Sequence, residues 1–310
     1  MLRRTPALVA VLAAATLAVT GCGGGNDTPA APASASDAAY PVSVGTVTLT
    51  EQPTKIVSLS PTATEMLFAI GAGSQVAAVD DQSNYPPEAP KTDLSGYQPN
   101  AEAIAGSSPD LVVLANDTNK IVDQLTKLKV PVYVAPAAKT LDDTYQQISD
   151  LGRLTGHADQ ATALNGQMKN DIDKLITDLP RPAGKKLRYY YELDPNYYTV
   201  TDQTFVGALF GELGLTSIAN SADKDGSAGG YPQLSPEVVI DAGPDFVFLA
   251  DVNCCQQTPE KVSERAGWGG IPAVTQHRVV ALDDDIASRW GPRTVDLVRT
   301  VADAVAAASN

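Results

Sequence analysis

The sequence predicts an α/β protein built as two Rossmann-like lobes joined by a single long helical connector. Three observations carry this reading. From Lys55 onward, short β-branched runs alternate with amphipathic stretches, the pattern of a mostly parallel sheet layered with helices. A polar, alanine-bearing segment over 141–179 separates two such series. A block of the first series also returns in the second at a constant offset.

Taken in order, Ile56-Val57-Ser58-Leu59 reads as a buried strand, and Ser60-Pro61 supplies an N-cap and a first-turn proline for a helix. That helix carries Met66, Leu67 and Ile70 and stops at Gly71. Further strands are expected over 76–79, 111–114 and 130–134, with Val122, Leu125 and Leu128 marking the crossover helix between the last two. The connector places Leu164, Met168, Ile172 and Leu175 on one stripe and is interrupted only near Gly156. It ends at Pro180-Arg181-Pro182-Ala183-Gly184. The second series then gives a strand over 187–193, a helix over 205–213, strands over 246–249 and 279–282, and a closing helix over 294–307.

The repeated block is the most informative feature. Asn100-Ala101-Glu102-Ala103-Ile104 leads to Ser108-Pro109-Asp110-Leu111-Val112-Val113-Leu114-Ala115, and Ser235-Pro236-Glu237-Val238-Val239 leads to Gly243-Pro244-Asp245-Phe246-Val247-Phe248-Leu249-Ala250. Glu102 and Glu237, like Pro109 and Pro244, stand 135 residues apart. Each copy is a short helix opening with a glutamate, then a Pro-Asp turn, then a buried strand. Such units recur in α/β proteins, but the matched spacing predicts two similarly built lobes with a cleft between them, where ligand pockets form.

The N-terminus fixes the expected compartment. Arg3 and Arg4 precede an apolar stretch from Ala7 to Val19 that ends in Val19-Thr20-Gly21-Cys22. A bilayer-crossing helix needs about 20 residues, so this shorter run reads as the core of a lipoprotein leader. Cleavage after Gly21 would leave Cys22 as a lipid-carrying N-terminus. The Gly, Ala, Ser and Pro-rich stretch after it has almost no large apolar side chain to bury and reads as a flexible stalk. The plan is therefore 1–21 leader, 22–40 stalk, 41–140 N-terminal lobe, 141–180 connector and 181–310 C-terminal lobe, in an extracytoplasmic protein tethered to the cell membrane. The net charge is −14, which argues against nucleic acid as a partner and leaves a basic protein surface as an admissible one. With Cys22 assigned to the tether, the adjacent pair Cys254-Cys255 remains, either as a vicinal disulfide or as two reduced thiols.

Enzymatic readings fare poorly. The chain has two histidines, His157 past a helix-ending glycine and His277 in a polar turn, which limits general-base chemistry and rules out multi-histidine metal sites. There is no nucleophile elbow, phosphate loop or dinucleotide fingerprint. An exported hydrolase would need a base that the sequence does not supply. Asp283-Asp284-Asp285 lacks the oxygen ligands and turn glycine of a calcium loop, so one member is expected in the cleft and two in solvent. No catalytic residue, metal site or cofactor is assigned. Tyr85, Tyr97, Tyr197, Tyr198 and Tyr231 lie in loops rich in Pro, Gly or Asn, where flat faces with a hydroxyl suit a large, partly polar ligand, whereas Tyr189 to Tyr191 belong to a strand and pack.

Several segments carry a family resemblance in the right order: Ser58-Leu59-Ser60-Pro61-Thr62-Ala63-Thr64-Glu65, Asn84-Tyr85-Pro86-Pro87, 100–114, Tyr231-Pro232-Gln233-Leu234-Ser235-Pro236-Glu237, and Asp285 through Arg289 to Pro292-Arg293. With them, 42–308 resembles the class III substrate-binding proteins of ABC importers for iron-siderophores and cobalamin, and is most similar to the cobalamin-binding members. The resemblance implies rigid lobes with a small hinge motion, a monomer, and delivery of a small molecule to a permease and its ATPase. It implies that Glu102 and Glu237 dock on permease arginines, a role that two equivalent helix starts on one face also suit; favourable helix-dipole placement explains the same glutamates. For the cleft it implies ligand contacts at Tyr97, Tyr198, Tyr231, Asp285 and Arg289, with tyrosines at 97 and 231 where the cobalamin binders have tryptophan. A pocket tyrosine of those proteins is replaced at Gln82, and the match at Tyr97 needs a one-residue shift. Cobalamin or a related corrinoid is the expected cargo, with ferric siderophores or haem as the alternative; Arg289 and Arg293 are the few cations the aligned pocket offers an anionic siderophore.

Overall fold

A computed structural model of the chain describes residues 40–180 and 186–309. The expected leader, Cys22, the expected stalk before Tyr40 and the run Arg181-Pro182-Ala183-Gly184 lie outside the described residues.

An antiparallel hairpin, β1 (Val42–Val44) and β2 (Val47–Leu49), opens the fold. β3 (Ile56–Leu59), β4 (Val76–Val79), β5 (Leu111–Leu114) and β6 (Val132–Val134) form a parallel sheet in the order β4-β3-β5-β6. β7 (Leu187–Glu192), β8 (Leu215–Ser217), β9 (Phe246–Leu249) and β10 (Val279–Ala281) form a second, in the order β10-β9-β7-β8. Counted along the chain, both sheets place their second, first, third and fourth strands side by side. The two lobes are thus wound identically.

The helices are α1 (Pro61–Ala69), α2 (Ala101–Gly106), α3 (Ile121–Lys127), α4 (Leu141–Thr155), α5 (Ala158–Thr177), α6 (Phe205–Glu212), α7 (Pro236–Ala242), α8 (Val252–Cys255), α9 (Pro259–Ser263), α10 (Pro272–Thr275), α11 (Asp284–Ser288) and α12 (Thr294–Ala308). They cover both faces of each sheet, which is why the strands read as continuous apolar runs. The period of two still sorts the side chains. Ile56, Leu111 and Val113 join one core with Met66, Leu67 and Leu151, while Val57, Leu59, Val112 and Leu114 join the other face with Ile104 and Leu125. In the second lobe Tyr189, Tyr191, Phe246 and Phe248 pack with Phe210, and Tyr190, Val247 and Leu249 pack with Trp268. All three tyrosines of β7 are fully buried, as their strand position predicts.

The repeated Pro-Asp turn has a mechanical role. Asp110 Oδ2 accepts from the backbone N and hydroxyl of Thr54, both at 2.8 Å, and from Lys55 N at 3.0 Å, while its own amide donates to Lys55 O. Asp245 repeats this at the entry to β7, with Oδ2 accepting from Arg188 N at 2.9 Å and its amide donating to Arg188 O. Each aspartate ties the start of its lobe's third strand to the start of the first.

The connector region is helical as expected, but its two helices divide the work. Gly156 ends α4 in the left-handed region at φ +79°, which costs glycine little. α4 buries Ile148, Leu151 and Leu154 in the N-terminal core; α5 places Ala161 and Met168 in that core and Ile172 in the C-terminal one. Most of the span between lobes is thus α5, with Leu141 at the start of α4 also packing against the C-terminal core. β6 starts only at Val132, because Lys129 adopts φ +60° and Pro131 has no N–H to give a ladder. The hairpin and β8, three residues per strand, are too short to raise a periodic signal.

Candidate ligand cleft

Parallel sheets present ligands at the carboxyl ends of their strands, and a cavity of about 320 Å³ lies there. The N-terminal lobe lines it with Leu59 and Ser60 after β3, Asp80 and Gln82 after β4, Gly96 and Tyr97, and Ala115 and Asn116 after β5; the C-terminal lobe adds Asp285 and the segment from Ser288 to Trp290. A hollow of about 430 Å³ between α1, α5 and α12 also reaches Glu65 and Arg293, but it lies among helix flanks and strand ends contribute nothing to its wall.

The N-terminal wall is a hydroxyl-rich web. Ser60 caps α1 by accepting from Ala63 N, and Thr64 Oγ1 lies 2.9 Å from both Ser58 Oγ and Ser83 Oγ. Ser83 donates to Asp80 Oδ1 at 2.6 Å. Asp80 is buried, and that burial pushes its carboxyl above the usual range. A side chain at Gly96 would bring a Cβ within 2.6 Å of Asp80 Oδ2 and 2.9 Å of Leu59 O, so glycine lets this loop close over the wall. The next residue, Tyr97, is 76% exposed and holds its ring free at the rim.

The opposite wall is ionic. Arg289 Nη2 donates to Asp285 Oδ1 at 2.6 Å and to Gln82 O at 3.1 Å, and its Nη1 donates to Glu65 Oε1 at 2.8 Å. Arg293 reaches the same glutamate from Nη2 at 2.6 Å and from Nε at 3.0 Å, and its guanidinium lies 4.3 Å from the centre of the Tyr85 ring. Asn84 Nδ2 donates to Asp285 Oδ2 at 2.7 Å. Arg289 therefore enters the cleft already paired on both sides.

Of the residues expected to touch ligand, the cavity joins Tyr97, Asp285 and Arg289. Tyr198 and Tyr231 are exposed but do not line it. They sit on two adjoining loops of the C-terminal lobe, joined by the bridge between Tyr198 and Gln233 and by Thr199 N donating to Pro232 O. Tyr197 packs against Trp268, and Tyr85 lies under Arg293, so neither stands free in the cleft. In the aspartate run only Asp285 lines the cavity. Asp283 caps α11 by accepting from Asp285 N and Ile286 N, and Asp284 accepts from Asn253 N and Cys254 N; these are structural duties that the solvent-facing expectation missed. Cys254 and Cys255 are free thiols. Glu102 and Glu237 are exposed in the first turns of α2 and α7.

Sequence reasoning assigned no role to Glu65, Asn84 or Trp290. Glu65 carried a signal all the same, as the one charged residue of a nine-residue helix with Met66 and Leu67 beside it. Buried at the end of β7, Glu192 takes a two-pronged pair from Arg265 at 2.6 and 2.5 Å. Beside it Asp251 is fully buried, and no donor reaches either carboxyl oxygen. By the 135-residue offset Asp251 is the counterpart of Asn116 in the other lobe's wall.

Two matched α/β lobes around a cleft with an aromatic rim and a pre-paired ionic wall define a ligand-capturing clamp. The sequence matches the periplasmic binding protein family over residues 56–286, and the chain belongs to that family. It is 27% identical to the ABC transporter substrate-binding lipoprotein YvrC of Bacillus subtilis strain 168, over 98% of each chain. The fold is similar to that of the periplasmic vitamin B12 binding protein BtuF of Vibrio cholerae, with 27% identity, TM-score 0.68, and 83% of this chain and 98% of that one covered. It is equally similar to the periplasmic heme-binding protein RhuT of Roseiflexus sp. RS-1, with 26% identity, TM-score 0.70, and 83% and 99% covered. The chain is thus a substrate-binding component of ABC import, with the fold of the class III binding proteins. No helix among the described residues is long and apolar enough to cross a membrane.

Proposed function

We propose that this chain is tethered to the outer face of the cell membrane through a lipid on Cys22, binds cobalamin or a related corrinoid without chemistry, and delivers it to a permease and its ATPase. The observation that carries the ligand is the pairing of a free ring at Tyr97 with a charge-balanced edge at Asp285 and Arg289. A corrinoid offers a broad apolar face and a fringe of neutral amides, and such a fringe suits donors and acceptors that carry no net charge. The similarity to the vitamin B12 binding protein supports the same reading. Titration of a Cys22→Ser protein with cyanocobalamin, a ferric siderophore and haem tests it by calorimetry. Heat and saturation with cyanocobalamin at tens of micromolar or below are expected, since even a modest binder registers there; a flat titration rejects the corrinoid.

Haem is the second reading, favoured by the exposed phenol of Tyr97 as an iron ligand and by the similarity to RhuT. A charge-transfer band of haem that disappears in Tyr97→Phe would establish it. In both readings Glu102 and Glu237 dock the loaded protein on a basic permease surface.

A further inference from the structure

The ionic wall of the cleft is a circuit of contacts that crosses from one lobe to the other and back. It begins at Glu65 on α1, whose side chain is 1% exposed, passes to Arg289 and Arg293 in the C-terminal lobe, continues from Arg289 to Asp285, and returns to the N-terminal lobe at Asn84. Trp290, between the two arginines in sequence, lines the cavity and donates from Nε1 to Gln147 Oε1 at 3.0 Å. The circuit holds two carboxylates and two guanidiniums, so its formal charge is zero. Arg289 is 8% exposed and has neutralising oxygens on both nitrogens that face the circuit. Burying a guanidinium without such partners is strongly unfavourable, so its counter-charge also fixes where it points.

We propose that Glu65 is a positioning and specificity-setting residue for the cleft: by binding Arg289 and Arg293 it presents Arg289 to a ligand as one half of a neutral hydrogen-bonding edge with Asp285, and not as a free cation. This rests on the cleft being the ligand site. It follows that the cleft takes ligands with neutral amide or hydroxyl fringes and turns away anions rich in carboxylate or catecholate, although two arginines stand in its wall. The same contacts tie the C-terminal lobe to α1.

The first test needs no cargo. Trp290 is one of two tryptophans; the other, Trp268, is 1% exposed and shielded from quenchers. Iodide and acrylamide quenching of Trp290, at constant ionic strength, therefore read charge and openness at the wall separately. Glu65→Gln keeps the size of the side chain and leaves the wall at +1, so iodide quenching is expected to rise about two- to threefold with acrylamide quenching unchanged, an anion being concentrated near a desolvated cation. Arg289→Gln, at −1, should lower iodide quenching, and the double variant, back at zero, should restore it. Iodide quenching unmoved in Glu65→Gln, or both quenchers rising together in every variant, overturns the proposal. If Glu65→Gln fails to fold, Arg293→Gln keeps the Glu65 to Arg289 pair, leaves the wall at −1 and must lower iodide quenching.

The second test uses cargo. In Glu65→Gln, haem, with two carboxylates, should bind about tenfold tighter, and cyanocobalamin, which has no net charge, about tenfold weaker, each step being about 1.4 kcal/mol. Equal weakening of both would make Glu65 merely structural. If neither compound binds the unaltered protein, the ligand reading fails while the quenching series still decides the role of Glu65.

Discussion

Glu192 and Asp251 are neighbouring, fully buried carboxyl groups served by a single arginine. Arg265 gives both of its prongs to Glu192, so Asp251 has a charged neighbour and no donor. Burial first, and the Glu192 charge second, push the Asp251 carboxyl up to about 7. In the unfolded chain Asp251 ionises near 4, so the folded state holds a proton there that the unfolded state has released. The stability this gives is fully present below pH 4 and is lost as pH rises through about 7. Asp251→Asn, whose amide can donate to Glu192, should therefore be more stable than the parent at pH 8 by about 1–3 kcal/mol, with much of the difference gone at pH 4. Urea midpoints at the two pH values check this.

The repeated aspartates predict a different stability effect. Asp245 is 4% exposed and ties Arg188 to β9, while Asp110 ties Thr54 and Lys55 to β5 at the surface. Asp245→Ala should cost about 1–3 kcal/mol, because amides at a buried strand entry lose their acceptor, and Asp110→Ala about 0.5–1.5 kcal/mol. Calorimetric melting of each single variant and the double tests this. The two sites lie in different sheets with no shared partner, so their effects should add.

These aspartates explain why so much of the fold was legible. The sequence repeats where physics repeats: a helix start, a turn that staples two strands, and a strand buried on both faces all constrain residue type at fixed spacing. Glu102, Asp110 and Leu111 return as Glu237, Asp245 and Phe246 for that reason. The cleft was less legible because its wall joins residues about 200 positions apart. No local pattern announces that Glu65 meets Arg289, or that Asn84 meets Asp285. The family resemblance marked Arg289 as a ligand contact and a cation of the pocket, whereas its partners make it half of a neutral edge. The tyrosines divide in the same way. Loop context picked Tyr97 and Tyr197 alike, and packing against Trp268 takes the second out of the cleft.

That separation makes the tyrosines a graded test. Tyr97, free at the rim and in contact with the cavity, should lose about three- to tenfold in cyanocobalamin affinity on change to Ala, the value of one aromatic face at about 0.5–1.5 kcal/mol. Its melting temperature should stay put, since little of the ring is buried. Tyr198→Ala and Tyr231→Ala, which line no part of the cavity, should weaken binding less than Tyr97→Ala. Calorimetric titration ranks the three. A larger loss at Tyr231 than at Tyr97 would place the ligand on the C-terminal loops instead.

Docking can be separated from capture because the glutamates stand clear of the cleft. Glu102 and Glu237 occupy the same turn of equivalent helices in two identically wound lobes, and neither lines the cavity. Ser235 holds the Glu237 carboxyl below its usual range, so it stays ionised well into acid. Two exposed carboxylates meeting a basic surface form charge-assisted hydrogen bonds that are screened by salt and act strongly on encounter. Changing both to Ala should leave cyanocobalamin affinity within twofold of the parent and weaken binding to the permease in nanodiscs by about ten- to a hundredfold, with each single variant in between. Raising the salt from 50 to 500 mM should narrow the gap between the double variant and the parent, because the lost contacts are the ones that salt screens. Equal permease binding by parent and double variant at low salt would remove the docking role, and a joint fall in cargo affinity would instead mean that the two helices shape the cleft.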